Sequence, residues 1–147
     1  MSNTIFIIII IILAFDFLFE RFLEYLNDKN ISPEVPAEAK GIYNEEKYRE
    51  MMEYHKVNSR FDFVSSTFSF IIMLVMLLLG GFALVDNFVR MITENPILMA
   101  LLFFGIIGIA SDIISEPFSL YGIFVIEEKF GFNKTTLKTY LFDKLKG

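Results

Sequence analysis

The sequence predicts an all-α integral membrane protein, and three observations carry that prediction. Of its 147 residues 54% are hydrophobic, with a mean hydropathy of +0.53, above the roughly 45–50% apolar share of soluble domains. These residues are gathered into long runs. Lysines and arginines are shared unevenly among the flanks of those runs.

The first run, Ile5 to Phe19, is interrupted only by Asp16. Read on to Leu26 it gives a span of about 5–26, roughly 33 Å as a helix and long enough to cross a bilayer. A cleaved signal peptide would have a basic start and a small-residue cleavage site. No lysine or arginine precedes Arg21, so an uncleaved span is expected. The second run, 63–85, has no charge and is the clearest transmembrane helix. The third begins after Pro96 and is expected as a helix over 97–115, broken at Pro117, since proline lacks the N–H that a continuing helix needs. The apolar residues beyond Pro117 are expected to re-enter the bilayer or lie along its surface. A single domain, 1–147, holds all three spans.

Orientation is set by the flanks. Seven lysines and arginines lie from Arg21 to Arg60, at the end of span one and in the loop after it, only Arg90 between spans two and three, and five in the tail. The N-terminus is therefore expected outside, with the first loop (27–62) and the C-terminus in the cytosol. In that loop "NISPEVPAEAKG" reads as an extended connector, because of Pro33, Pro36 and Gly41. "NEEKYREMMEYHKV" reads as a short amphipathic cytosolic helix, capped by Asn44 and carrying Glu45 and Glu46 in its first turn. In the tail, Leu137, Tyr140, Leu141 and Leu145 recur at helical spacing, giving an interfacial helix or the approach to a further span.

Several function classes are excluded. The absence of cysteine removes disulfides and thiolate metal sites, and a net charge of −5 argues against nucleic acid. His55 is the only histidine and reads as a packing or surface residue, because a zinc site needs three or four ligands. No metalloprotease, nucleophile-elbow or phosphate-loop motif is present. The chain is expected to have no catalytic residue and no metal or cofactor of its own.

Polar residues at membrane depth are costly and usually face protein or water. Asp16, Glu20 and Glu24 recur every four residues in the first span. Asp112 and Glu116 sit near the end of the third, and Ser65, Ser66, Thr67 and Ser69 open the second. Two readings stand: hydrogen bonding between helices, or a hydrated cavity lined by Asp16, Glu20, Asp112 and Glu116. Gly80, Gly81, Gly105 and Gly108 would allow close helix approach.

The stretch "SEPFSLYGIFVIEEKFGFNKTT", Ser115 to Thr136, resembles the segment after the third membrane helix of the CAAX prenyl proteases of the Ste24 type. The shared pattern is Pro117, Ser119-Leu120-Tyr121, Phe124 to Lys129, Gly131-Phe132-Asn133 and Thr136; Phe130 stands where some members have histidine. "FERFLEYLNDKNISPEVP" and "EYHKVNSRFDFVSSTFSF" resemble the family's first loop and second-helix entry. The resemblance covers nearly the whole chain.

It implies an integral-membrane zinc metalloendopeptidase with seven helices around a water-filled chamber. The family's zinc is held by two histidines of His-Glu-x-x-His and a downstream glutamate, none of which maps onto this sequence. It further implies that the chain is the N-terminal membrane portion, walling the chamber and supporting the catalytic region. Residues 117–147 would then be a cytosolic docking segment, with Phe124, Glu127, Glu128, Lys129, Gly131, Phe132, Asn133 and Thr136 facing that region. Expected partners are the bilayer, the catalytic region and, in the full-length protein, a peptide or prenylated-peptide substrate. The alternative is a free-standing membrane scaffold or adaptor.

Overall fold

The computed structural model describes residues 2–31, 35 and 44–146. All regular structure among them is helical: α1 (Ser2–Asn30), α2 (Glu45–Leu78), α3 (Gly81–Ile92), α4 (Pro96–Tyr121), a π-helical stretch (Gly122–Glu127) and α5 (Leu137–Lys146). The connector expected at Asn30 to Gly41 lies almost wholly outside the described residues.

Helix α2 starts where its sequence says it should. The Asn44 side chain accepts from the N–H groups of Glu46 (2.9 Å) and Lys47 (3.3 Å), closing orphan donors of the first turn. It does not stop after a short amphipathic segment. It runs unbroken for 34 residues into the apolar run, so the expected separate loop helix and second span are one rod. Nothing between Val57 and Phe63 breaks a helix: the sequence there has neither glycine nor proline.

The rod ends at Leu78, short of the expected Val85. Gly80 takes a left-handed φ of 72°, a conformation that glycine adopts without Cβ strain. Gly81 then restarts the chain as α3, close against Met76; a Cβ there would lie 2.5 Å from the Met76 sulfur. Beyond the turn, Arg90 Nε donates to Asp86 Oδ2 at 2.7 Å. The hydrogen bond and charge of Asp86 raise the Arg90 pKa. A raised basic pKa loses its stabilising effect only as pH climbs through that value, so this pair adds no pH dependence near neutrality.

Helix α4 opens on Asn95, whose side chain accepts from the N–H groups of Ile97 and Leu98, with Pro96 in the first turn. The break expected at Pro117 does not occur. The helix passes through it to Tyr121 and continues as π-helix to Glu127. Proline removes one hydrogen bond, yet unwinding the backbone in apolar surroundings would expose several more polar groups. The register adjustment falls a turn later, in the π stretch.

Helix α2 is the spine, lying against α1, α3, α4 and the π stretch. Phe17 stacks on Phe70 at 4.2 Å, Phe61 on Tyr121 at 5.2 Å, and Phe68 lies 5.0 Å from Phe118. Burial within the chain is sparse: Val89 and Ile126 are the most enclosed side chains. Ile11, Phe15, Leu101, Phe104 and Ile113 are each more than half exposed. Apolar surface on that scale needs lipid or further protein to cover it. Among the described residues two helices, Glu45–Leu78 and Pro96–Glu127, are long and apolar enough to cross a membrane.

Candidate functional site

Three neighbouring groups of residues gather where the polar half of α2 meets its apolar half. The first joins α1 to α2. Ser59 is buried, and its Oγ donates to Asp28 Oδ2 at 2.7 Å, with Glu24 Oε1 at 3.4 Å. His55 Nε2 lies 3.3 Å from Asp28 Oδ1. The lone histidine is thus a helix-to-helix contact. Its neighbours do not form the nitrogen-rich set that zinc requires. Among the described residues no group of three or more histidine, cysteine or acidic side chains could hold a metal, so the residues present do not fit the family's zinc.

The second group is a polar pocket of about 460 Å³ between α1, α2 and the end of α4. It is lined by Arg21, Asn58, Asp62, Ser65, Ser66, Ser69, Ser115 and Ser119 together with Phe61 and Phe118. Arg21 is held between the Phe17 and Phe63 rings, 5.6 and 5.9 Å from their centroids, a favourable place for a cation. Glu24 Oε2 approaches its Nη1 at 2.5 Å. The angle is nevertheless poor for a hydrogen bond, and Nε and Nη1 are both buried without a hydrogen-bond partner.

The polar opening of the second apolar run meets the end of the third at this pocket. The residues that meet are the serines, with Arg21. None of Asp16, Glu20, Asp112 or Glu116 lines this pocket. Asp16, Glu20 and Asp112 are exposed, and Glu116 is partly buried and paired with Lys144 of α5. Sequence reasoning missed Arg21, which entered only as a flanking charge. The available signal was its position one turn before Glu24 with Phe17 one turn before it, so that all three share a helix face.

The third group is the segment from Phe124 to Thr136. Its backbone is organised locally: Phe132 N donates to Glu127 O at 2.9 Å, and Gly131, at φ 71°, makes the turn. The Asn133 side chain donates to Glu128 at 2.9 Å and accepts from Thr135 N at 2.6 Å. Thr136 Oγ1 accepts from Thr139 N and so caps α5. The rings of Phe130 and Phe132 both meet Tyr54 of α2 edge-on, at 5.3 and 4.8 Å. Phe124 meets Tyr140 at 5.9 Å, and Lys129 lies 3.9 Å from Glu53. The segment is clasped to α2 within its own chain, while Glu128, Gly131, Phe132 and Thr136 keep exposed surface.

This arrangement has known counterparts. A family model described as the CAAX prenyl protease N-terminal region, with five membrane helices, matches residues 24–147. A CAAX prenyl protease 1 homolog of Caenorhabditis elegans is 34% identical over 125 residues, covering 85% of this chain and 27% of the relative. A probable CAAX prenyl protease 1 of Schizosaccharomyces pombe is 32% identical, over 70% of this chain and 24% of the relative. The crystal structure of S. mikatae Ste24p superposes with a TM-score of 0.80 at 26% identity, covering 93% of this chain and 34% of that one. The chain thus spans about a quarter to a third of the proteins it matches. The family model covers most of the chain, and the chain belongs to the family of CAAX prenyl protease N-terminal membrane regions.

Proposed function

We propose that this chain is the membrane-embedded N-terminal portion of a Ste24-like zinc metalloendopeptidase that processes CAAX-type peptides. It walls an intramembrane chamber and supports a catalytic region supplied by other residues. The single observation that carries the reading is the superposition of nearly the whole chain on one third of S. mikatae Ste24p. Zinc, peptide cleavage and any prenylated substrate belong to the complete enzyme. This chain contributes positioning: α2 and α4 as walls, and the clasped segment as a platform.

Three membrane spans, carried by α1, the apolar half of α2 and α4, put the N-terminus outside and the first loop and C-terminus in the cytosol. The flanking charge distribution supports this orientation. Reporters fused after Asn44 or Gly147 should be active in the cytosol and one at Asn87 outside. The carboxylates of Asp16, Glu20, Asp112 and Glu116 then lie toward the chamber, since carboxylates at membrane depth need water or protein around them. Phe124, Glu127, Glu128, Lys129, Gly131, Phe132, Asn133 and Thr136 form the platform on which the catalytic region docks.

The test is a chimaera in which this chain replaces the matching third of S. mikatae Ste24p. It should insert and cleave a CAAX peptide. Replacing Phe132 and Asn133 by alanine should lower cleavage roughly tenfold to a hundredfold, the order of loss that misplaced catalytic groups give. An inserted but inactive chimaera would sink the supporting role. Full activity without Phe132 and Asn133 would sink the platform.

A further inference from the structure

The polar pocket between α1, α2 and α4 has a lopsided supply of hydrogen-bonding groups. Each serine hydroxyl hydrogen is turned back along its own helix. Ser65 and Ser66 donate to Asp62 O at 3.2 and 2.6 Å, Ser69 to Ser65 O at 3.0 Å, Ser115 to Ser111 O at 2.8 Å and Ser119 to Ser115 O at 3.5 Å. What the hydroxyls offer the pocket is therefore oxygen lone pairs. Asp62 adds more of the same: its Oδ2 accepts from the Asn58 amide at 2.9 Å, and among the described residues no donor reaches Oδ1. Against these acceptors stands one cation, Arg21, ion-paired through Nη1 with Glu24 at 2.5 Å while its Nε is buried without a hydrogen-bond partner.

A complementary ligand carries several N–H donors on a positive centre, and an anionic oxygen a short distance away. An ammonium ion supplies three donors and no acceptor, and a phosphodiester oxygen matches a guanidinium. The position of the pocket narrows the source. Ser65, Ser66 and Ser69 open the apolar run of α2, and Ser115 and Ser119 come just after the apolar run of α4. Both runs end at this level, which is headgroup depth for helices that cross a bilayer. Phe61 and Phe118 line the pocket with the polar residues. At about 460 Å³ the volume falls in the roughly 300–1,000 Å³ range of small-ligand sites.

We propose that this pocket binds the headgroup of an ethanolamine phospholipid, its ammonium among Asp62 and the serine oxygens and its phosphate beside Arg21. The proposal rests on the chain being embedded in a bilayer. It is independent of which side is cytosolic and of any catalytic role. A choline headgroup has the same charges but no N–H donor, so it leaves the acceptors unmatched. A glycerol headgroup lacks the cation altogether.

The test uses the 147-residue chain in detergent, with equal amounts of phosphatidylethanolamine, phosphatidylcholine and phosphatidylglycerol, and reads retained lipid by native mass spectrometry. Ethanolamine lipid should be retained at least about tenfold over choline lipid, as expected of a site built around donors. Asp62→Asn should abolish the preference and Arg21→Gln should lower retention of all three lipids alike, since each carries the phosphate, while Asp112→Asn, outside the pocket, should leave both intact. Circular dichroism reports whether each variant keeps its helices. If Arg21→Gln loses them, the paired variant Ser65→Ala with Ser119→Ala, which deletes two acceptors without touching charge, serves instead and should also weaken the preference. Soluble phosphoethanolamine should compete only at far higher concentration than the lipid, because it lacks acyl chains. Equal retention of ethanolamine and choline lipid, or a preference that survives Asp62→Asn, would overturn the proposal. So would a lysine-bearing peptide that binds the pocket when no lipid preference exists.

Discussion

The two halves of α2 belong to one unbroken helix and keep entirely different company. From Asn44 to Asp62 its contacts are specific: a capping amide, the Asp28–Ser59–His55 junction with α1, and Tyr54 under Phe130 and Phe132. From Phe63 to Leu78 the hydroxyls satisfy their own helix, and Phe63, Val64, Ile71 and Leu78 stand more than half exposed. One half is fixed by directional partners in this chain. The other meets its own chain through two ring contacts, Phe70 on Phe17 and Phe68 near Phe118, and otherwise presents apolar surface.

The sharpest way to break this contrast is a charge in the apolar half. Ile71→Lys should cost about 2.5–3.5 kcal/mol of insertion free energy, the usual penalty near a helix centre. A glycosylation-mapping insertion assay would report it. The same lysine at Met51, exposed in the polar half, should leave insertion unchanged, and an equal effect at both sites would erase the distinction.

Next in size is the α1–α2 junction. Asp28→Ala removes the nearer acceptor of the buried Ser59 hydroxyl, leaving Glu24 Oε1 at 3.4 Å, and should destabilise by about 1.5–3 kcal/mol, the usual worth of a hydrogen bond to a charged group. Adding Ser59→Ala should recover part of the loss, because both partners are then gone. Additive losses in thermal unfolding would mean that the two residues are not coupled.

Tyr54→Ala should rank third, at about 1–2 kcal/mol, from two edge-on aromatic pairs at roughly 0.5–1.5 kcal/mol each, discounted for partial exposure. Its readout is local. Limited proteolysis between Phe130 and Thr136 should accelerate while the membrane helices stay protected. Smallest is Asn44→Ala, about 1 kcal/mol for a lost N-cap, seen as fraying of the first turn of α2 by hydrogen exchange.

The contrast also explains what is legible in the sequence. Asn44 and Asn95 announce their helix starts, because capping depends only on residues two and three positions on. The apolar runs announce helices for the same local reason. The rod joining loop and span is harder to read, because composition changes at Phe63 while the backbone does not, and no glycine or proline marks a break. Pro117 misleads in the opposite sense. Its rule is drawn from helices in water, where an unwound turn is solvated at little cost. The Tyr54 clasp is invisible, since its partners are more than seventy residues away in the chain and no local pattern encodes the pairing. The serines stand out as polar groups in an apolar run, whereas Arg21 is one flanking charge among many and reveals its role only through its ring contacts.

The π-helical stretch after α4 bears on motion. Pro96 to Glu127 is one run of 32 helical residues and α2 is another of 34, each roughly 45–50 Å long at 1.5 Å per residue. Both exceed the roughly 30 Å hydrocarbon thickness and project together from the same side. They touch again outside it, through Phe61 on Tyr121 and Tyr54 on the Phe130 and Phe132 rings. Two stiff struts coupled beyond the bilayer behave as a pair of levers. A few degrees of tilt between them in the membrane becomes an ångström-scale displacement of the aromatic clasp. That tilt is set by packing against neighbouring helices and by interfacial anchors, so a change in either is carried to the clasp.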